Sequence, residues 1–154
     1  MAKYEIPFSS IAAAAAALKT LAALTASTNA TLFLREIHVV DEFAGTSDGA
    51  LQVTVKTGTS FSAAGTATAT TSTPLGNAPA SSFTAATNHT AEPTLVGGVT
   101  KLSAEPLTSG GGAAWTFYDP SAEIKVFGTG VIQVLFNGPA ARSAPLKGKL
   151  VIEE

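Results

Sequence analysis

The chain has 154 residues, a formal net charge of −2 and no cysteine, and Ala (29), Thr (21), Gly (14) and Ser (13) make up half of it. That length suits one domain with its own hydrophobic core. A charged content of 13%, nearly balanced in sign, excludes the basic footprint of a nucleic-acid-binding domain, and 45% hydrophobic residues argue against general disorder. Without cysteine there is no disulfide framework, thiolate metal site or cysteine nucleophile.

Residues 1–17 read as an N-terminal arm, extended or partly helical. Lys3-Tyr4-Glu5-Ile6-Pro7-Phe8 alternates Tyr, Ile and Phe with Lys, Glu and Pro, the period of a strand. Ser9-Ser10 before a six-Ala run has the propensity of a capped helix. Ile11–Leu24 is the one candidate membrane or targeting segment, but Lys19 and Thr20 interrupt it, and it is short of the ~20 strongly apolar residues that cross hydrocarbon. Glu5 offsets Lys3 where a signal peptide needs net positive charge, so the segment is expected to belong to the fold.

Residues 18–154 read as an antiparallel β-sandwich, jelly-roll-like, in a single all-β domain. Leu18–Thr25 is expected to pair with Thr31–Val40 through the polar turn Ala26–Ala30. In Thr31–Phe43 simple alternation places Phe33, Ile37, Val39 and Phe43 on one face; the other carries Leu32, Leu34 and Val40 with Glu36, His38 and Glu42. Gly45–Gly49 ends in Asp-Gly, a hairpin signal leading into the alternating Leu51, Val53 and Val55. Ser60–Thr94, rich in Ser, Thr and Ala with one formal charge at Glu92, is expected to form long loops with one or two short strands, anchored by Phe61, Leu75 and Phe83. Ala113–Tyr118 and Glu123–Phe127 are strands separated by Asp119-Pro120, and Gly128-Thr129-Gly130 sits in a hairpin position. Val131–Phe136 is apolar on both faces and suits a central strand, and Leu146, Gly148, Leu150 and Ile152 alternate with polar residues in the last one.

The inventory for catalysis is thin. His38 shares an alternation with Glu36 and Glu42, a Glu-His-Glu row that would suit a metal or acid–base site. The plainer reading is a polar stripe or an oligomer contact, since no second imidazole lies nearby in the chain. His89 falls in Asn88-His89-Thr90, read as loop, and no Gly-x-Ser-x-Gly elbow is present. Asp41, Glu42 and Asp48 match no calcium loop, and the Gly110–Gly112 run precedes a strand rather than a phosphate-binding helix. No enzyme, metal or cofactor is expected. Trp115 and Phe117 share a strand face and read as core; Tyr118, on the other face, is the better exposed contact.

The order of parts resembles small Ala/Thr/Gly-rich virion proteins of tailed bacteriophages and prophages, of the capsid decoration (cement) type. The residues that carry the likeness are Lys19-Thr20-Leu21, Ala26-Ser27-Thr28-Asn29 before Leu32–Val40, Thr90-Ala91-Glu92-Pro93-Thr94, and the ending Leu150-Val151-Ile152-Glu153-Glu154. The resemblance implies a sandwich or jelly roll that binds the major capsid protein on the virion surface, self-associates as a homotrimer, and is made in the bacterial host cytoplasm. It implies no nucleic-acid or membrane partner. Tyr4, Ile6 and Phe8 are then candidate partner contacts, the arm adding a strand to a neighbour's sheet, with Tyr118 as a further contact. The alternative for the arm is the first strand of its own domain. The alternative role is a head-fibre or tail-associated protein, with host-glycan binding.

Overall fold

The computed structural model describes residues 1–9, 18–41, 51–107, 112–137 and 146–154. Their strands are β1 (Lys3–Ser9), β2 (Lys19–Thr25), β3 (Thr31–Asp41), β4 (Leu51–Gly58), β5 (Ser60–Ala63), β6 (Thr66–Thr70) and β7 (Thr73–Pro74), then β8 (Thr84–Ala91), β9 (Thr94–Val96), β10 (Val99–Leu107), β11 (Gly112–Thr116), β12 (Ile124–Phe127), β13 (Val131–Asn137) and β14 (Leu146–Glu153). Two antiparallel six-stranded sheets form the body of an all-β, sandwich-like single domain. The first runs β11-β3-β14-β1-β7, with β12 beside β11 along the same edge of β3; the second runs β10-β4-β13-β2-β8-β6. β5 and β9 pair as a separate ribbon.

The alternating residues decide which face is buried. Tyr4, Ile6 and Phe8 of β1 point inward with Leu150 and Ile152 of β14, while Lys3 and Glu5 stay on the outer face of the first sheet. They meet Leu24, Val53, Val55, Ile132, Val134 and Phe136 from the second sheet. The Tyr4 ring stands edge-on to Phe83, centroids 5.4 Å apart, a geometry that aligns the positive ring edge with the negative face. Lys3–Ser9 is thus an interior strand between β14 and β7 rather than an arm reaching a neighbour. Each face of β13 is covered along Val131–Phe136, as suits a central strand whose apolar residues fall on both faces, with Gln133 the one polar member.

Several connections differ from the sequence reading. β2 pairs with β13 and β8, not with β3, so the turn 26–30 crosses between sheets. β3 and β4 also lie in different sheets, as do β12 and β13, an arrangement that buries the apolar face of each sheet against the other layer. The expected hairpins are therefore crossovers; residues 42–50 themselves lie outside the described residues, as do 10–17 of the segment expected to be extended or partly helical. Ser60–Thr94 holds four strands and the start of a fifth rather than one or two, its Thr residues taking part in ladders. Phe83 is buried and anchors that region, whereas Leu75 is exposed.

A bulge in β3 changes which residues face the core. The β14 ladder slips between Val151 and Ile152, which pair with Glu36 and Leu34 and leave Arg35 as the extra residue. Leu32 and Leu34 therefore point inward together with Ile37 and Val39, and Phe33 turns outward. Simple alternation had set these pairs on opposite faces.

Four turns meet at one end of the sandwich. Ala26 N donates to Gly130 O and Gly128 N to Ala30 O, and Gly97 lies against Thr59. Ala2 and Glu154 exchange two backbone hydrogen bonds. At the opposite end the described strands stop at Ser9, Asp41, Leu107 and Asn137.

Candidate interaction surface

Tyr118 is built into the outer face of the first sheet. Phe117 N donates to Arg35 O and continues the ladder past β11, while the Phe117 side chain enters the core. Asp119 then caps a single 3-10 turn, Pro120–Ala122, accepting from Ser121 N and Oγ at 2.8 and 2.7 Å. Those two bonds hold the Asp119 carboxyl below its usual range. The turn leaves Tyr118 45% exposed above Glu36.

Around Tyr118 the charges are paired with one another. Its hydroxyl donates to Glu36 Oε1 at 2.5 Å, and Glu36 Oε2 contacts His38 Nε2 at 2.6 Å. The Tyr118 hydroxyl, then His38, lower the Glu36 pKa, and the same bond to Glu36 raises that of Tyr118. Lys3 Nζ lies 4.9 Å from the Tyr118 ring centroid. Arg35, released outward by the bulge but only 7% exposed, bonds Glu153 Oε2 at 2.5 Å, Glu123 Oε1 at 3.0 Å and Phe117 O at 3.3 Å, and stacks 4.4 Å over Phe33. Glu123 is held below its usual pKa by Arg35 first and Lys125 second. Lys149 bonds Glu5 at 2.8 Å, which raises its pKa. Every carboxylate here already has a cation or hydroxyl, so the face is a polar plate whose charges are matched within the chain.

The expected Glu-His-Glu row is realised as far as Glu36–His38; Glu42 and Asp48 lie outside the described residues. Among the described residues no three His, Asp or Glu side chains gather as a metal-ligand set, and no helix is long and apolar enough to cross a membrane. Tyr4, Ile6 and Phe8, at 1%, 0% and 5% exposure, have no surface to offer a partner; their apolar side chains build the core instead.

On the second sheet the chain segment Thr90–Thr94 has a structural task. Glu92 Oε2 accepts from Thr20 N at 2.8 Å and Thr20 Oγ1 at 2.5 Å, with Lys19 Nζ 3.3 Å from Oε1. Gln133 Nε2 donates to Thr20 Oγ1 and Pro93 O, tying β13 to the same point. A shallow cleft of about 460 Å³ lies beside them, lined by Lys56, Glu92, Leu95, Gln133 and Leu135. His89, read from the sequence as loop, is in β8 and 2% exposed; neither ring nitrogen has a hydrogen-bond partner, and burial lowers its pKa. Nothing local marks this group in the sequence, because Thr20, Glu92 and Gln133 are far apart in the chain.

At the turn end, the exposed apolar side chains stand out. Phe127 is 65% exposed, and Val96 and Val99 flank the turn whose Gly97 lines a cleft with Phe127. Gly58 lies too close to Val96 O, 2.8 Å from an added Cβ, for any larger residue to separate these strands. No protein-family model, curated protein or solved structure matches the chain.

Proposed function

We propose that this chain is a non-enzymatic structural protein of a tailed-phage virion that binds the outer capsid surface and stabilises the shell. The observation that carries the reading is the division of its surface: charges are paired off on one sheet face, while Phe127, Val96 and Val99 present apolar surface at the turn end. Burying such surface against the major capsid protein is favourable but modest per copy. Repetition over a symmetric shell, with the protein acting as a homotrimer, converts weak sites into avidity. Tyr118 is the second proposed contact, at the rim of the polar plate. Host-glycan binding by a head-fibre or tail-associated protein fits less well, because Lys3 and Arg35 already crowd the Tyr118 ring that a sugar would stack on.

The test is the copy number in purified particles relative to the major capsid protein, with rupture temperature measured on particles with and without this chain. A ratio near one or a fixed simple fraction of it, with rupture at lower temperature in its absence, is expected. A few copies per particle would move the role to tail or vertex. Equal rupture temperatures would overturn shell stabilisation.

A further inference from the structure

The edges of the two sheets are protected unequally. Edge strands expose unpaired N–H and C=O groups, and charge, proline, bulges or brevity discourage another strand from pairing with them. β10 contains Lys101 and Pro106 and is broken by two register shifts. β7 has two residues and ends in Pro74, and the four-residue β12 carries Lys125. β6 has none of these devices: Thr66-Ala67-Thr68-Ala69-Thr70 is an uncharged run, exposed on both faces along Thr66–Ala69. The edge strand β11 is likewise uncharged and free of proline, but Gly112-Ala113-Ala114-Trp115-Thr116 does not mirror itself and Trp115 packs partly against the core. β6 is held in place by its inner neighbour β8, through the ladder, a Thr70–Thr87 hydroxyl pair at 2.6 Å and a bond from Thr90 Oγ1 to Thr66 O. The irregularity in that ladder falls on β8, where Asn88 adopts φ 55° and two extra residues are accommodated, leaving β6 itself regular.

The β6 sequence is also a palindrome about Thr68. Two-fold contacts are isologous, each residue meeting the residue that its own copy presents in return. We infer that β6 is a self-association edge, pairing antiparallel with β6 of a second copy about a two-fold axis through Thr68 and joining the two second sheets into one. Thr68 then faces Thr68 of the second copy, Ala67 faces Ala69, and Thr66 faces Thr70. Cross-strand Thr pairs are favourable, and no like charges meet. A strand from an unrelated protein would match this edge no better than any other uncharged strand, whereas the palindrome matches itself in every position. The inference is independent of the capsid assignment; a two-fold contact cannot lie within a closed trimer, so beside the proposed homotrimer it would join chains of different trimers.

The absence of native cysteine makes a direct test available. Opposed residues have Cβ atoms about 4.5–5.5 Å apart, within a small adjustment of disulfide geometry. Thr66 and its own copy would be four residues out of register, roughly 13 Å apart, beyond bridging distance. Under mild oxidation of the full-length protein, Thr68→Cys is expected to give a disulfide-linked dimer in several-fold higher yield than Thr66→Cys or Thr70→Cys alone. A one-to-one mixture of the latter two should cross-link as a heterodimer. Adding Ala67→Lys and Ala69→Lys to Thr68→Cys places like charges opposite each other twice and should suppress the product, with circular dichroism confirming an unchanged fold. Equal yields at all three positions, no cross-link at Thr68, or indifference to the lysines would each overturn the inference.

Discussion

Gly148→Ala is a severe test of the packing between β14, β1 and β3. A Cβ at position 148 would lie 1.9 Å from His38 O and 2.8 Å from Phe8 Cζ, against a close C···O contact of about 3.3 Å. The Phe8 ring lies over Gly148, its direct cross-strand partner, and fills the place of the missing side chain. The carbonyl, however, belongs to the backbone of an interior ladder and cannot rotate away, so relief requires moving β3 and β14 apart by more than 1 Å. Overpacking costs about 1–3 kcal/mol where side chains can adjust, so a backbone clash belongs at or above the upper limit, about 3 kcal/mol. For a domain of this size that is a fall in Tm of roughly 6–12 °C, read by thermal or urea denaturation. Gly76→Ala is the control: its φ is +69° but nothing lies within 4 Å, so it should cost only the left-handed penalty of about 1–2 kcal/mol. Truncating Phe8 to Leu should not rescue Gly148→Ala. A loss below about 1 kcal/mol, or full rescue by the Phe8 change, would refute the assignment of the clash to the His38 carbonyl.

Other outcomes follow from the site geometry. Arg35→Met should destabilise by about 2–3 kcal/mol, below the usual 3–5 for a broken buried pair because the Glu153 side chain keeps 15% exposure; a urea midpoint unchanged from wild type would count against it. His89 titrates below its unfolded value because of burial, with Glu92 favouring and Lys19 opposing the charged form. Above about pH 6.5 both states are neutral; as pH falls below that value the unfolded chain takes the proton first. Stability should therefore decline at up to about 1.4 kcal/mol per pH unit, and His89→Leu should flatten that limb. An identical slope in the variant would assign it elsewhere; the lowered carboxylates Glu36 and Glu123 act in a separate window, below about pH 4.5. Phe127→Ser should weaken capsid binding at unchanged melting temperature, whereas Ile6→Ala, fully buried, should cost about 2–5 kcal/mol of stability; the reverse pattern would exclude the turn end as the contact.

Period-two patterns identified most strands because burial on a sheet leaves that trace in the chain itself, as in Leu51–Lys56 and Leu146–Glu153. Turn chemistry at Gly128–Gly130 located the turn correctly but could not say whether the chain folds back beside itself or crosses to the other layer. Both use the same residues, and the choice depends on which face finds cover. The phase of β3 was likewise hidden: Arg35 looks like any exposed arginine until Glu153 and Glu123, over 80 residues away in the chain, enclose it. Tyr118 was recognisable as exposed from its place opposite Trp115 and Phe117. The group around Glu92 was not, since two of its members are threonine and glutamine, ordinary strand residues until they meet.

The placing of β1 against β14 has a consequence for how the molecule is made. These strands form the middle of the first sheet yet lie at opposite ends of the described chain, with Tyr4 beside Ile152 and Ile6 beside Leu150. During synthesis β3 and β1 emerge early, but neither can complete its ladder until β14 leaves the ribosome. The inward side chains of Ile6, Leu34 and Ile37 must wait for β14, a long loop to close and a slow step by the rule that distant pairings fold late. The first sheet should thus close only after β14 has been made, and nascent chains stopped before Leu146 should remain open to protease throughout that sheet.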